Sequence, residues 1–230
     1  MKLSPSKIKR YQICPLSYDW IYNKKFITLE TVALVLGSRY HEIVRQYYID
    51  KKEHRDKVWI EYELLWCYLK NPIKWNIVDT EKRISFNVWE HLVRIILDRI
   101  DEDKLIDYKT SSFDYKQEDC KNIQSLLYVY YYWMTTWKIY PFIFHIVNKK
   151  KYKQKKYLPQ IMKPVIYTVE ELEQVPEILT DYVRRIESGK FPATPSWFCW
   201  WCPFWPLWLD SCPYYKSELY KKKPKVLKKK

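Results

Sequence analysis

Ile95-Ile96-Leu97-Asp98-Arg99-Ile100-Asp101-Glu102-Asp103-Lys104-Leu105-Ile106-Asp107-Tyr108-Lys109 decides how this chain is read. Two β-rich runs, 95–100 and 104–109, flank an acidic turn, Asp101-Glu102-Asp103, in the pattern of a tight antiparallel hairpin. Side chains alternate across a strand, so Asp107 and Lys109 share a face with Leu105 while Ile106 and Tyr108 point the other way. A two-residue loop at Glu102-Asp103 sets Asp101 against Lys104 and Ile100 against Leu105, and a four-residue loop keeps that register. Either loop opposes Asp98 to Asp107. Directly opposed Cβ atoms lie about 4.5–5.5 Å apart, where like charges repel, and a divalent cation reverses the sign of that interaction. Acidic pairs on hairpins are usually solvated surface charges, but strands otherwise this hydrophobic put the carboxylates at the edge of a core.

At 230 residues the chain can bury a sizeable core as one domain with, at most, a small appendage. Its two glycines, Gly37 and Gly189, exclude both a G-x-x-x-x-G-K phosphate loop and a G-x-G-x-x-G dinucleotide turn, so any ATP-driven motor must be another chain. The formal charge of +14 is concentrated in Lys149, Lys150, Lys151, Lys153, Lys155 and Lys156, and in a tail of Lys221, Lys222, Lys223, Lys225, Lys228, Lys229 and Lys230. These thirteen of the 41 basic residues set aside, 28 remain against 27 acidic ones, a nearly neutral body. Two lysine clusters suit a polyanion gripped at particular places, because neutralising phosphates releases counterions. The plainer reading is a solvated loop and a solubilising tail. Neither run lies on an obvious amphipathic helix, which disfavours a membrane surface. Residues 1–11 lack the apolar stretch of a signal peptide. The apolar segment 123–147 is broken by Gln124, Lys138, Pro141 and His145, which argues for a core helix and strand over a membrane span. An intracellular, cytoplasmic protein (inside the host cell, were the source viral) is expected, with six cysteines that do not form a disulfide framework.

Local signals predict the element order. Ser4-Pro5-Ser6 starts a short helix that Pro15 stops, and a second helix runs from Thr31 to Ile49 with Leu34, His41, Val44 and Tyr48 at helical spacing. Residues from Trp75 to Lys109 are strand-rich, 117–137 helical, Phe142–Val147 a strand and Tyr157–Tyr167 extended. Thr168 with Glu171 forms a capping box for a helix that ends near Gly189 and kinks at Pro176. This order implies a mixed α/β or α+β sandwich. Gly37 inside a helix marks a close approach, since glycine there costs up to about 1 kcal/mol relative to alanine. His41, one turn later, is either a hydrogen-bonded core histidine or, if its face meets the acidic hairpin, a ligand of the kind that suits manganese. Gln124 and Tyr128 stand i, i+4 on the helix after the hairpin, in a crowd of tyrosines most of which must simply pack.

Taken together, Gly37-Ser38-Arg39-Tyr40-His41, Leu97-Asp98-Arg99-Ile100-Asp101, Ile106-Asp107-Tyr108-Lys109-Thr110-Ser111 and Gln124 to Tyr128 match in order the G-x-x-x-H, D-R-I-D, D-Y-K-T-S and Q-x-x-x-Y segments of a known family. The chain resembles RecB-like nucleases of the PD-(D/E)XK superfamily, with no glycine in Arg94-Ile95-Ile96-Leu97 before Asp98, where relatives often carry one. Cys14, Cys199, Cys202 and Cys212 resemble the iron-sulfur subgroup, which includes CRISPR-associated RecB-like exonucleases and the AddB nuclease domain. Four thiolates suit a 4Fe-4S cluster or structural zinc; one C-x-x-C pair with two distant single cysteines favours the cluster. Cys67 and Cys120 have no partners by spacing and read as buried small hydrophobes.

The resemblance implies a restriction-endonuclease-like core, a mixed central sheet flanked by helices, with N- and C-terminal segments joined by the metal cluster. It implies one nuclease domain over 1–220, with a catalytic core at 30–167, cluster-binding segments at 1–29 and 190–215, and a basic tail at 221–230. His41, Asp98, Asp107 and the Tyr108 carbonyl would hold Mn2+ or Mg2+. Lys109 would position water or stabilise developing charge, while Gln124 and Tyr128 orient Lys109 and the substrate backbone. The implied activity is metal-dependent cleavage of DNA, single-stranded by preference and exonucleolytic, 5′ to 3′ favoured. Replication, recombination or CRISPR-adaptation proteins are candidate partners. Trp197, Trp200, Trp201, Phe204, Trp205 and Trp208 crowd the cysteines, as cluster shield or base-stacking platform. A competing expectation is a catalytically silent iron-sulfur subunit that only binds DNA. A zinc-stabilised transcription factor lacks a recognition helix and leaves the hairpin carboxylates unexplained.

Overall fold

The quoted hairpin is the middle of a six-stranded mixed sheet. A computed structural model describes residues 1–26, 32–50, 59–73, 76–196, 198–199, 202–204 and 212, the side chains of 32–34 and 50 excepted. The lysine tail, Trp197, Trp200, Trp201, Trp205 and Trp208, and the expected boundaries at Thr31 and Trp75 lie outside the described residues. The strands are β1 (Lys2–Leu3), β2 (Ile77–Val88), β3 (His91–Asp101), β4 (Leu105–Ser111), β5 (Phe142–Asn148) and β6 (Gln160–Ile161). The helices are α1 (Pro5–Ile13), α2 (Pro15–Tyr18), α3 (Val32–Asp50), α4 (Ile60–Tyr68), α5 (Ile123–Thr136), α6 (Val169–Glu173) and α7 (Val175–Glu187). The chain divides into two compact units, Met1–Pro5 with Glu30–Thr180, and Ser6–Leu29 with Asp181–Lys230.

In the first unit, β3 pairs antiparallel with β2 over nearly its whole length, turning at Trp89-Glu90 with Trp89 at φ 51°. Its remaining partners sit at opposite ends: β1 runs parallel at Leu92 and Val93, and β4 antiparallel at Arg99↔Ile106 and Ile100↔Leu105. The tight turn is the one expected, with Asp101 N donating to Lys104 O. The ladder nevertheless stops before the opposed Asp98–Asp107 pair that the register would continue into, and β3 and β4 part there. Beyond the fork β4 is held by β5, parallel, through seven consecutive pairs from Leu105↔Phe142 to Ser111↔Asn148.

Alternation gives the sheet two apolar faces. Ile106, Tyr108, Ile143 and Val147 pack with Leu36, Tyr40, Ile43 and Val44 of α3 and with Leu64, Leu65 and Tyr68 of α4. On the opposite face Phe142 meets Tyr128 of α5, ring centroids 5.7 Å apart. The buried stripe of α3 is Leu36, Tyr40, Ile43, Val44 and Tyr48, so His41 stands beside that stripe rather than within it. Helix α4 has a weak sequence signature: Glu61 and Glu63 stand in its first turn, but Trp59 at its N-cap supplies no side-chain hydrogen bond. Helix α1 ends at Ile13, ahead of Pro15 as expected, and Pro15 then opens α2; Pro176 lies in the first turn of a new helix, α7, where a kink was expected, since proline fits a first turn. Asn122 caps α5, and Thr168 and Glu171 form the expected capping box. The segment 157–167 forms only the two-residue β6 and a bridge between Phe142 and Val165.

A buried polar network lies beneath the hairpin. Arg99, 0% exposed, donates Nε and Nη2 to the two Asp101 oxygens at 2.6 and 2.7 Å and Nη1 to Tyr48 OH at 2.9 Å. Its guanidinium also sits 5.0 Å over the Tyr48 ring, and Tyr48 stacks on Tyr108. Alongside, His145 Nε2 lies 2.9 Å from Asn71 O, and burial lowers this histidine from 6.5 to about 4. The unfolded chain therefore takes up that proton more readily, so the stability His145 confers is complete above about pH 6.5 and is lost as pH falls towards about 4. Unfolding free energy from urea titrations should decline with pH across that window, and His145→Gln, which keeps a donor for Asn71 but cannot titrate, should flatten the decline. An unchanged slope in the variant would move the acid sensitivity to another group.

The second unit has an aromatic core of its own. Tyr11, Tyr18 and Ile186 are buried with Tyr22, Tyr182 and Phe191 packed around them, Leu16 N donates to Pro192 O, and Trp20 meets Phe204 edge to face at 4.8 Å. Gly189, at φ 68°, ends α7 in the left-handed conformation that glycine adopts without strain.

Candidate active site

The fork between β3 and β4 leaves the Tyr108 amide without a strand partner, and Asp98 takes it: Oδ2 accepts from Tyr108 N at 2.7 Å. A side chain thus substitutes for a rung of the ladder and is fixed by it. The same oxygen lies 3.2 Å from His41 Nδ1. Asp107, 1% exposed, accepts at Oδ1 from Gln124 Nε2 at 2.6 Å. Lys109 Nζ is 2.6 Å from Asp107 Oδ2, but off the line of a hydrogen bond. Gln124 also donates to Tyr128 OH at 3.0 Å, and Tyr128 donates to Ile96 O on the stretch of β3 that neither β1 nor β4 covers. The expected residues His41, Asp98, Asp107, Lys109, Gln124 and Tyr128 therefore line a single cleft of about 600 Å³.

Electrostatics divides the two aspartates. Burial would raise Asp98, but His41, Lys109 and the Tyr108 amide bring it below the usual carboxylate range. Asp107 is pushed up by burial and then by the Asp98 charge, against the pull of Lys109 and His41. Burial opposes the charged forms of His41 and Lys109, yet both are raised because the aspartates outweigh it.

The sequence reading missed Glu81. On β2 it falls opposite Asp98 in the register set by Thr80↔Arg99 and Lys82↔Leu97, and its Oε1 lies 3.8 Å from His41 Nδ1. Glu81 has φ 51°, a left-handed backbone in mid-strand that costs a non-glycine residue about 1–3 kcal/mol. Counting back from the Trp89-Glu90 turn would have found it. Among the described residues, His41, Glu81 and Asp98 form the group whose ligand atoms all lie within 4.8 Å of one another. Arg83, two positions on, lines the cleft as well. Gly37 does not mark a tight approach: a Cβ there would stand 3.8 Å from Thr110 Oγ1, an ordinary contact, and its bareness instead leaves the cleft open.

In the second unit, Cys202 is pushed up by burial, with Cys14 and Cys199 near enough to raise it further. Cys202 N donates to Cys199 O, and Ser196 N to Cys199 Sγ at 3.4 Å. Cys212 is partly buried, and all six cysteines are free. Cys67 and Cys120 are buried in apolar surroundings that raise both thiols to about 11. The lysine run is partly spent on acids: Lys151 pairs with Asp114, Lys153 with Glu63, and Lys150 stands over the Phe113 ring. No helix among the described residues is long and apolar enough to cross a membrane.

A solved crystal structure from Eubacterium rectale, named "Putative exonuclease", is similar to this chain, with a TM-score of 0.57 over 87% of this chain and 86% of that one. At 16% identity the likeness is one of fold. No curated protein matches. A family model described as the PD-(D/E)XK nuclease superfamily matches residues 2–95 and 64–207, nearly the whole described chain, cleft included. The mixed sheet, forked where its acidic residues begin, is thus the sheet of a nuclease, and the chain belongs to the PD-(D/E)XK nuclease superfamily.

Proposed function

We propose that this protein is a metal-dependent exonuclease acting on single-stranded DNA, 5′ to 3′ by preference, inside the cell, and that it belongs to the RecB-like iron-sulfur branch. The observation that carries the nuclease reading is the cleft in which one imidazole, two hairpin carboxylates and a lysine converge beside Gln124 and Tyr128. The donor set fits a divalent cation: carboxylate oxygens and one imidazole suit Mn2+, with Mg2+ served by the oxygens. His41, Asp98, Asp107 and the Tyr108 carbonyl would hold it. A cation there would lower the pKa of a bound water and offset charge on the scissile phosphate.

The chain's own groups do the remainder. Lys109 keeps its proton in this acidic surrounding and sets a positive charge where negative charge develops. Gln124 holds the Asp107 carboxylate in place, and Tyr128 ties Gln124 to the β3 backbone. Arg83 gives the cleft a cation for neighbouring phosphates. For the cluster, Cys14, Cys199, Cys202 and Cys212 are the proposed ligands of a 4Fe-4S centre, supported by the proximity of the first three. Its role is structural, since it would cross-link the two chain segments of the second unit.

The test is cleavage of single-stranded DNA labelled at either end by anaerobically purified protein, with Mn2+ or Mg2+, against Asp107→Ala. Degradation by the wild type alone, with the 5′ label released first and iron and sulfide bound at about four each per chain, is the expected result. Equal cleavage by Asp107→Ala would remove the assignment, and DNA binding without cleavage by either protein would make this a DNA-binding subunit.

A further inference from the structure

We propose that Glu81 is a direct ligand of the divalent cation, so that β2 supplies part of the metal centre alongside α3 and the β3–β4 hairpin. The inference rests on the metal-dependent reading above and extends it to a residue outside the matched motifs. Its first support is placement: His41, Glu81 and Asp98 bring one donor atom each to within 4.8 Å of the others, a spacing that one cation can bridge. Second, two carboxylates converge on one imidazole. Glu81 and Asp98 face each other across β2 and β3 with His41 between them, at 3.8 Å from Glu81 and 3.2 Å from Asp98. The nearby ammonium of Lys109 is already at Asp107.

The third support is what the backbone gives up. Thr80↔Arg99 and Lys82↔Leu97 stay in register on either side, so the ladder is intact around Glu81, yet Glu81 itself adopts φ 51°. Glycine is the residue that conformation favours. A carboxylate stands there instead, lining the cleft. Local strain of this kind is retained where the surrounding structure holds a side chain to a task, and the donors around it name the task as cation binding. A purely structural Glu81 would be dispensable to the metal and needed by the fold. A ligand would be the reverse.

That opposition can be measured on the full chain by titrating Mn2+ into metal-free protein by calorimetry and following metal-free thermal unfolding for wild type, Glu81→Gln, Glu81→Gly and Asp98→Asn. Glu81→Gln and Glu81→Gly should each weaken Mn2+ binding by about tenfold or more, while metal-free Glu81→Gly unfolds at or above the wild-type temperature. Mn2+ affinity unchanged in both Glu81 variants, with binding lost in Asp98→Asn, would overturn the inference and leave the metal centre standing. Affinity unchanged in Asp98→Asn as well would overturn both.

Discussion

Lys109→Ala should lower the rate of single-turnover DNA cleavage by about 10²–10³-fold or more, the loss typical when one preorganised charge-stabilising group is removed from a reaction centre. The fold should survive the change. Lys109 is the countercharge of Asp107, but Asp107 is already pushed up by burial and by Asp98, so with the lysine gone it takes up a proton instead of remaining a buried unpaired anion. Cleavage and stability are thereby separated: gel-resolved cleavage at saturating DNA and Mn2+ should collapse, while the unfolding temperature moves little. Lys109→Arg should not restore the rate, because a planar guanidinium cannot replace a compact ammonium at 2.6 Å from Asp107. Cleavage by Lys109→Ala within a few-fold of wild type would take this residue out of the chemistry.

Arg99→Ala should have the largest effect on stability, about 3–5 kcal/mol, because it strands Asp101 as a buried anion. Both side chains of that pair are 0% exposed, and Asp101 receives two guanidinium hydrogen bonds at once. A urea midpoint shifted strongly down at constant slope is the expected signature. The loss should also reach the cleft, since Tyr48 stacks on Tyr108 and the Tyr108 amide holds Asp98. Mn2+ affinity should therefore fall although Arg99 lines no part of the site. A loss under about 1 kcal/mol would mean that Lys104, 3.6 Å from Asp101, takes over the charge.

The hairpin register was legible because a short acidic turn between two apolar runs leaves few alternatives. The same counting could not foresee that the ladder would end at Arg99↔Ile106, since what parts the strands is not written in their spacing. It is the competition of Asp98 for the Tyr108 amide, the Tyr128 hydroxyl on Ile96 O, and the pull of β5 along the whole of β4. Gln124 and Tyr128 could be singled out by their spacing, but only packing brought Gln124 to Asp107. Glu81 was hidden because a glutamate in a strand with charged neighbours looks like solvated surface. Helix α4 was hidden because its sequence is aromatic and uncapped, with helicity imposed by burial of Leu64, Leu65 and Tyr68. The α3 stripe was misjudged around His41, as a cleft-lining residue sits beside a buried face and borrows its periodicity.

The pairing within the lysine run bears on how ionic strength should act. Counterion release scales with the cations that a bound polyanion newly neutralises. Lys151 and Lys153 already hold Asp114 and Glu63, so a phosphate arriving there exchanges one anion for another and frees less sodium or potassium than a bare lysine would. A logarithmic plot of DNA affinity against salt should accordingly be shallower than a count of the lysines from 149 to 156 suggests, and neutralising Asp114 and Glu63 should steepen it.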